Sequence, residues 1–249
     1  MAQFHMRRPA PIQIAGGPEA VLILHGLAGS PAEIRPLAEF LGRAGFTISA
    51  PLLPGHGTHP EELRKVRYQD WVQAGEAELK RLQAHHPVVH VIGFSMGSIV
   101  ALHLAAHHEG ITTVTTLASP VKMSDWRQSL VPVLRFFVRD YPARVSNPEI
   151  ARQVQNYDFY PVSAIHQFLR MKSRVRRLLP RIRQPILIVQ GEQDRVIALD
   201  SAATLYHEVS SVVKQQIMLP KRRHFLALEP GREELFQQIQ TFLTAKRDR

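Results

Sequence analysis

The 249-residue chain has no cysteine. Disulfides, thiolate metal sites and a cysteine nucleophile are therefore excluded. It also lacks any uninterrupted apolar run of about 18 residues, so no spanning helix is expected. The opening residues, MAQFHMRRPAPIQ, lack the apolar core of about 7–15 residues that a secretory signal needs, which fits a cytoplasmic protein. The stretch HGLAGS (His25–Ser30) has no lysine after its glycines, so it is not a Walker phosphate loop. No internal repeat or low-complexity linker divides the chain, and a single domain is expected. Acidic residues are in short supply: 21 against 31 Lys and Arg, a formal charge of +10. The imbalance is local. Residues Lys122 to Arg183 carry 13 basic and 4 acidic side chains, whereas the remainder carries 18 and 17. Charge concentrated in this way marks a distinct subregion.

Apolar residues make up 45% of the chain, enough to build a substantial core. Short apolar runs read as buried strands: AVLILHG at Ala20–Gly26, VVHVIGFS, and QPILIVQG. ITTVTTLAS is β-branched and strand-like. FTISAPLLP and VKQQIML complete the set of strands. Between them lie helical patterns. In SPAEIRPLAEFL, Ser30 is placed to be an N-cap, Pro31 suits the first helical position and Glu33 would complete a capping box. Ile34, Leu37, Ala38 and Leu41 then form one apolar face. Helices are also expected over Asp70 to Ala84, MGSIVALHLAAHH, ALDSAATLYHEV and GREELFQQIQTFLTAK. Strands alternating with helices predict an α/β fold, a mostly parallel central sheet flanked by helices. Such sheets bind ligands at the C-terminal ends of their strands.

Residues 122–183 interrupt this rhythm. They are expected to form an inserted, mainly helical cap over the sheet's edge, in which Leu130, Val133, Leu134, Phe137 and Val138 follow the spacing of one apolar helix face. An apolar cap face suits an acyl chain better than a peptide.

The pattern GFSMG, Gly93 to Gly97, is G-x-S-x-G between an apolar strand and a helix. That is the setting of a nucleophile elbow, with glycines flanking a tight turn and Ser95 lifted out of the sheet. Alone the pattern is also compatible with an ordinary glycine-rich turn. A serine hydroxyl needs a base, and the order for this elbow is Ser, acid, His. Asp194 follows the strand PILIVQG, with Glu192 as runner-up; Asp200 is expected to cap or begin the next helix. His224 follows the last strand, whereas His207 falls inside a helical pattern. Oxyanion stabilisation would come from the backbone N–H groups of Met96, next after the serine, and Leu27, in the loop after VLILHG. His25 is expected to support that loop by hydrogen bonding.

In order along the chain, LHGLAGSP, PLLPGHGTHPEEL, the Asp70-Trp71 pair, GFSMGS, GEQDRVI and the late His224-Phe225 resemble the α/β-hydrolase superfamily. Within it, the chain is similar to bacterial carboxylesterases and monoacylglycerol lipases with a small cap. The resemblance implies an α/β-hydrolase fold and a Ser95, Asp194, His224 triad with Leu27 and Met96 as oxyanion donors. It implies no cofactor and a small-molecule ester with an apolar acyl chain as substrate. An acyltransferase, a thioesterase or a binding protein on the same fold are the alternatives. Serine at the elbow excludes the dehalogenases and epoxide hydrolases that need aspartate there. Two features depart from the family pattern. Arg223 stands where many relatives have glycine before the histidine, and the cap is strongly basic.

His103 and His107 have the i, i+4 spacing of a metal pair, but no third ligand accompanies them, so no metal is expected. The pairs His85-His86 and His107-His108 are read as solvated helix ends. Arg170 to Arg183 is the densest basic run. It is read as a solvated helix with Val175, Leu178 and Leu179 inward, and alternatively as a contact for anionic lipid surfaces. No reading motif accompanies the charge, so nucleic acid is not an expected partner. Lys221, Arg222 and Arg223 are expected to face solvent.

Overall fold

The computed structural model describes residues 9–124, 130–142, 148–154, 157 and 159–245. The strands are β1 (Ile12–Ile14), β2 (Glu19–Leu24), β3 (Thr47–Ala50), β4 (Val88–Phe94), β5 (Thr113–Leu117), β6 (Asp140–Pro142), β7 (Phe159–Pro161), β8 (Ile186–Gly191) and β9 (Lys214–Leu219). The helices are α1 (Arg35–Arg43), α2 (Pro60–Lys65), α3 (Tyr68–Gln83), α4 (Met96–His107), α5 (Val131–Leu134), α6 (Pro148–Val154), α7 (Val162–Arg176), α8 (Ser201–Glu208) and α9 (Arg232–Thr244).

Seven strands form one sheet in the order β1-β3-β2-β4-β5-β8-β9. Only β1 runs antiparallel, against β3; the other neighbours are parallel. The inner strands β4, β5 and β8 are buried almost end to end. That is why they read as continuous apolar runs: helices cover both faces of a parallel sheet. On one face α3, α4, α7 and α8 enclose a core that includes Trp71, Leu79, Ile99, Phe168 and Leu205. On the other, α1 and α9 contribute Leu37, Leu41, Leu235 and Phe242. Each such fully buried large apolar side chain is worth about 1.5–3 kcal/mol over leaving it exposed. The register pairs Leu24 with Gly93 and Phe94 with Leu117. The ends of β2, β4 and β5 are therefore level, and the loops that follow them gather at one edge.

The helix beginning near Ser30 differs from expectation. Ser30 Oγ does accept the N–H of Ala32, at 3.3 Å. A 3-10 turn over Pro31–Ile34 precedes α1, and the Glu33 carboxyl accepts the N–H of Gly26 instead of closing a capping box. FTISAPLLP is extended only over β3; the prolines end the strand. The helical spacing expected in the insertion is also cut short. Among the described residues, α5 is four residues long, and Leu130, Val133, Leu134, Phe137 and Val138 are all exposed, Phe137 by 82%. The insertion includes a two-stranded sheet, β6 with β7, besides its helices. Helix α7 buries Ala164, Phe168, Met171 and Val175 in the main core. In the basic run, Val175 and Leu179 are buried as expected and Leu178 is half-buried. Parts of 122–183, and residues 1–8 of the opening stretch, lie outside the described residues. No helix among the described residues is long and apolar enough to cross a membrane.

Candidate active site

Ser95 sits between β4 and α4 with φ 50° and ψ −118°. A non-glycine residue at positive φ is strained by roughly 1–3 kcal/mol, and surrounding packing must hold it there. Two glycines provide that packing. A Cβ on Gly93 would lie 2.4 Å from the Gly97 carbonyl oxygen, and one on Gly97 would lie 2.1 Å from that of Leu24. Helix α4 can therefore press against the end of β2. The Ser95 N–H donates to the Leu117 carbonyl at 2.9 Å. From within α4, Ser98 Oγ donates to the Ser95 carbonyl at 2.6 Å, and Ser98 and Ser119 hydroxyls are 2.8 Å apart. These buried serines fix the elbow from below.

Three of the residues singled out above meet in one line. Ser95 Oγ lies 3.0 Å from His224 Nε2, and His224 Nδ1 lies 2.7 Å from Asp194 Oδ2. They come from points 129 and 30 residues apart in the chain. The other Asp194 oxygen accepts the N–H groups of Val196 (2.8 Å) and Ile197 (3.2 Å), which fixes the carboxyl plane and leaves Oδ2 to the imidazole. The Asp194 side chain is fully buried, and that of His224 is 12% exposed. Phe94 and Phe225 flank the imidazole, with ring centroids at 5.2 and 5.6 Å. Glu192 is exposed and stays outside this line. Asp200 precedes α8 and pairs with Lys122, which lowers its pKa from the usual carboxyl value; its side chain makes no cap hydrogen bond. His207 lies exposed in α8.

Met96 is the first residue of α4, so its N–H has no partner within the helix and points along the positive end of the helix dipole. The Leu27 N–H carries no hydrogen bond among the described residues. Next to it, Ala28 is held at φ 57°. This loop is supported from beneath by Glu33, whose Oε2 accepts the Gly26 N–H at 2.9 Å. His25 behaves as expected. Its Nε2 accepts the Leu53 N–H at 3.0 Å, so Nδ1 carries the proton and donates to the Gly26 carbonyl at 2.9 Å. Burial holds the His25 pKa well below the ordinary imidazole value, and the adjacent His56 reinforces this. Burial likewise lowers His56 to about 4. Both rings are neutral structural parts, packed edge to face at 4.9 Å.

The loop carrying His224 clarifies the Arg223 departure. Arg223 is not at positive φ; Lys221 is, at 62°. No glycine is required before the histidine in this loop. Lys221 and Arg223 face solvent, but Arg222 is half-buried, contrary to expectation. His103 and His107 stack with centroids 4.3 Å apart, and no group of three metal-capable side chains occurs among the described residues. Sequence reasoning missed Glu33, Ser98 and Ser119 as supports of the site. Glu33 had a local signal, but it pointed to a helix cap.

Residues 18–231 match the model of the Hydrolase_4 family, described as serine aminopeptidase, S33. The chain belongs to this family. It is therefore a hydrolytic enzyme, and its fold is the α/β-hydrolase fold. Proteins similar to it include a thermostable monoacylglycerol lipase of Bacillus sp. (strain H-257), 29% identical over 88% of each chain. A carboxylesterase of Bacillus subtilis (strain 168) is 28% identical over 94% of this chain and 96% of its own. Among solved structures, one reported for LipS and LipT, two metagenome-derived lipolytic enzymes, superposes with TM-score 0.90 at 25% identity. It covers 96% of this chain and 99% of its own.

Proposed function

We propose that this Hydrolase_4 protein is a serine carboxylesterase whose substrates are short- to medium-chain esters or monoacylglycerols. The observation that carries the reading is the continuous line from Ser95 Oγ through His224 to Asp194, with hydrogen-bond lengths of 3.0 and 2.7 Å. Ser95 donates its proton to His224 Nε2 as Oγ attacks the ester carbonyl. Asp194 holds the imidazole with its proton on Nδ1, which keeps Nε2 free to act as base, and stabilises the imidazolium that forms. The N–H groups of Leu27 and Met96 receive the oxyanion. His224 then protonates the leaving alcohol. Water, deprotonated by the same nitrogen, releases the acid. The lipase and esterase names of the similar proteins support an acyl ester as substrate.

In this reading residues 122–183 hold an inserted cap over the site. Its apolar groups also suit contact with an anionic lipid surface. Phe136 and Phe137 are 72% and 82% exposed, and Arg135 lies over the Phe136 ring at 4.5 Å. Aromatic anchors beside cations are the chemistry of interfacial binding. The expected contact thus shifts from the Arg170–Arg183 run to this stretch.

A panel of aryl esters of graded acyl length, with S95A as control, tests the function. Ser95→Ala is expected to lower ester turnover by about 10⁴-fold or more. A fluorophosphonate should label Ser95 in the wild type alone. Wild-type turnover by S95A would sink the scheme, and acyl transfer to an added alcohol in preference to water would reassign the enzyme as a transferase.

A further inference from the structure

Glu229 is a buried acid that the reaction scheme leaves unused. It is 7% exposed, and its Oε1 has no hydrogen-bond partner among the described residues. A buried carboxyl oxygen without a partner costs about 1–3 kcal/mol, so the position calls for a physical reason. The other oxygen supplies it: Oε2 accepts the N–H of Arg223 at 2.8 Å. Arg223 immediately precedes His224. Between them and Glu229 the chain turns tightly, with Leu226 N–H donating to the His224 carbonyl and the N–H groups of Leu228 and Glu229 both donating to that of Phe225. The Glu229 side chain closes this turn into a ring that contains His224. On the other side, the Arg222 carbonyl accepts the Gln193 N–H at 2.8 Å, which ties the same loop to the residue before Asp194. The carbonyls of Arg222 and Arg223 also come close above Gly191, where a Cβ would meet each at 2.4 Å.

We infer that Glu229 is a positioning residue for His224, setting the approach of its imidazole to Ser95 by holding the Arg223 N–H. The inference rests on the proposed role of His224 as base. Glycine is dispensable before the histidine because the side chain at 229, not backbone freedom at 223, fixes the loop. Misplacing a reacting group by about 1 Å can cost roughly 100-fold in rate. A loosened His224 should therefore lower kcat while leaving KM nearly unchanged.

The test compares E229A, E229Q and E229D with the wild type on a soluble aryl ester, with circular dichroism to measure the folded fraction. Glu229→Gln keeps a carbonyl acceptor of the same reach; Glu229→Asp falls short by a methylene. Per folded molecule, E229A and E229D are expected to lose roughly 10- to 100-fold in kcat with KM within about twofold. E229Q should stay within about threefold, and formate should partly restore E229A by filling the vacated site. Wild-type kcat in folded E229A would overturn the inference. So would equal damage in E229Q and E229A, because charge rather than the acceptor would then matter. Should E229A fail to fold, the difference between E229Q and E229D decides. Full activity in E229A alongside a dead S95A would remove Glu229 and leave the triad standing. Activity in S95A would instead remove the scheme on which the inference is built.

Discussion

The elbow at Ser95 and the stretch from Leu130 to Tyr141 belong to the same enzyme and are held in opposite ways. Around the elbow, every side chain and even absent side chains are constrained: Gly93 and Gly97 have backbone where a Cβ would go, and Ser98 and Ser119 tie the turn down. From Leu130 to Tyr141, Leu130, Val133, Leu134, Phe136, Phe137, Val138 and Tyr141 all lie exposed. Polar contacts anchor that stretch at its end. Arg64 reaches Asp140 Oδ1 at 2.7 Å and the Arg139 carbonyl at 2.9 Å, while Arg139 pairs with Glu61. The proposed chemistry thus rests on close packing, whereas the exposed stretch leaves its apolar side chains uncovered among the described residues. The difference can be probed from either side.

The largest effect is expected at Gly97. Alanine there would put a methyl 2.1 Å from the Leu24 carbonyl oxygen and 2.7 Å from that of His25. Both atoms are backbone, so α4 and the end of β2 must separate. Those two elements carry Met96 and lead into Leu27, and the two proposed oxyanion donors would move apart. Overpacking of this kind costs about 1–3 kcal/mol, and backbone on both sides puts G97A near the upper end. Urea unfolding should show that loss, and kcat should fall more than KM rises. Wild-type stability in G97A would mean that the elbow is less tightly built than its geometry states.

This contrast also explains what could be read from the residues alone. The meeting of Ser95, Asp194 and His224 was legible because each comes after an expected strand, at the edge where a parallel sheet gathers its ligand-binding loops. Their supports were not. Glu33 matches a capping-box position, yet the Gly26 N–H, seven residues earlier, takes its carboxyl. Glu229 looks like a loop acid until the turn after His224 brings it back to Arg223. The apolar spacing from Leu130 to Val138 is real, but periodicity specifies a face and does not say what covers it. Helix α5 lasts only four residues, and that face turns outward.

A second probe is pH, which should act on the packed frame. His56 has its pKa lowered to about 4 by burial, against an ordinary value of 6.5. His103 is also lowered to about 4, and burial holds His25 well below the ordinary value as well. Below about pH 6.5 the unfolded chain takes up protons that the folded chain refuses, so stability falls as pH drops. For His56 the loss runs from about pH 6.5 to about 4 and amounts to roughly 3 kcal/mol at the lower limit. Urea midpoints should decline across this window, and His56→Gln should flatten the decline in part, leaving the share of His25 and His103. An unchanged slope in H56Q would show that His56 does not stay neutral in the fold.

The smallest effect on stability is expected from the exposed stretch, and it is the most discriminating. Phe136→Ser with Phe137→Ser removes two large side chains that are 72% and 82% exposed. Exposed substitutions usually change stability by about 0.5 kcal/mol or less. The double variant should therefore unfold like the wild type and turn over a soluble short-chain aryl ester at the same rate. On a monoacylglycerol dispersed in anionic vesicles it should be slower, with weaker sedimentation alongside the vesicles. Equal rates on both substrates would show that this surface does not meet lipid. A parallel loss on both would place the phenylalanines in the acyl site itself, and would make one functional surface of the two regions.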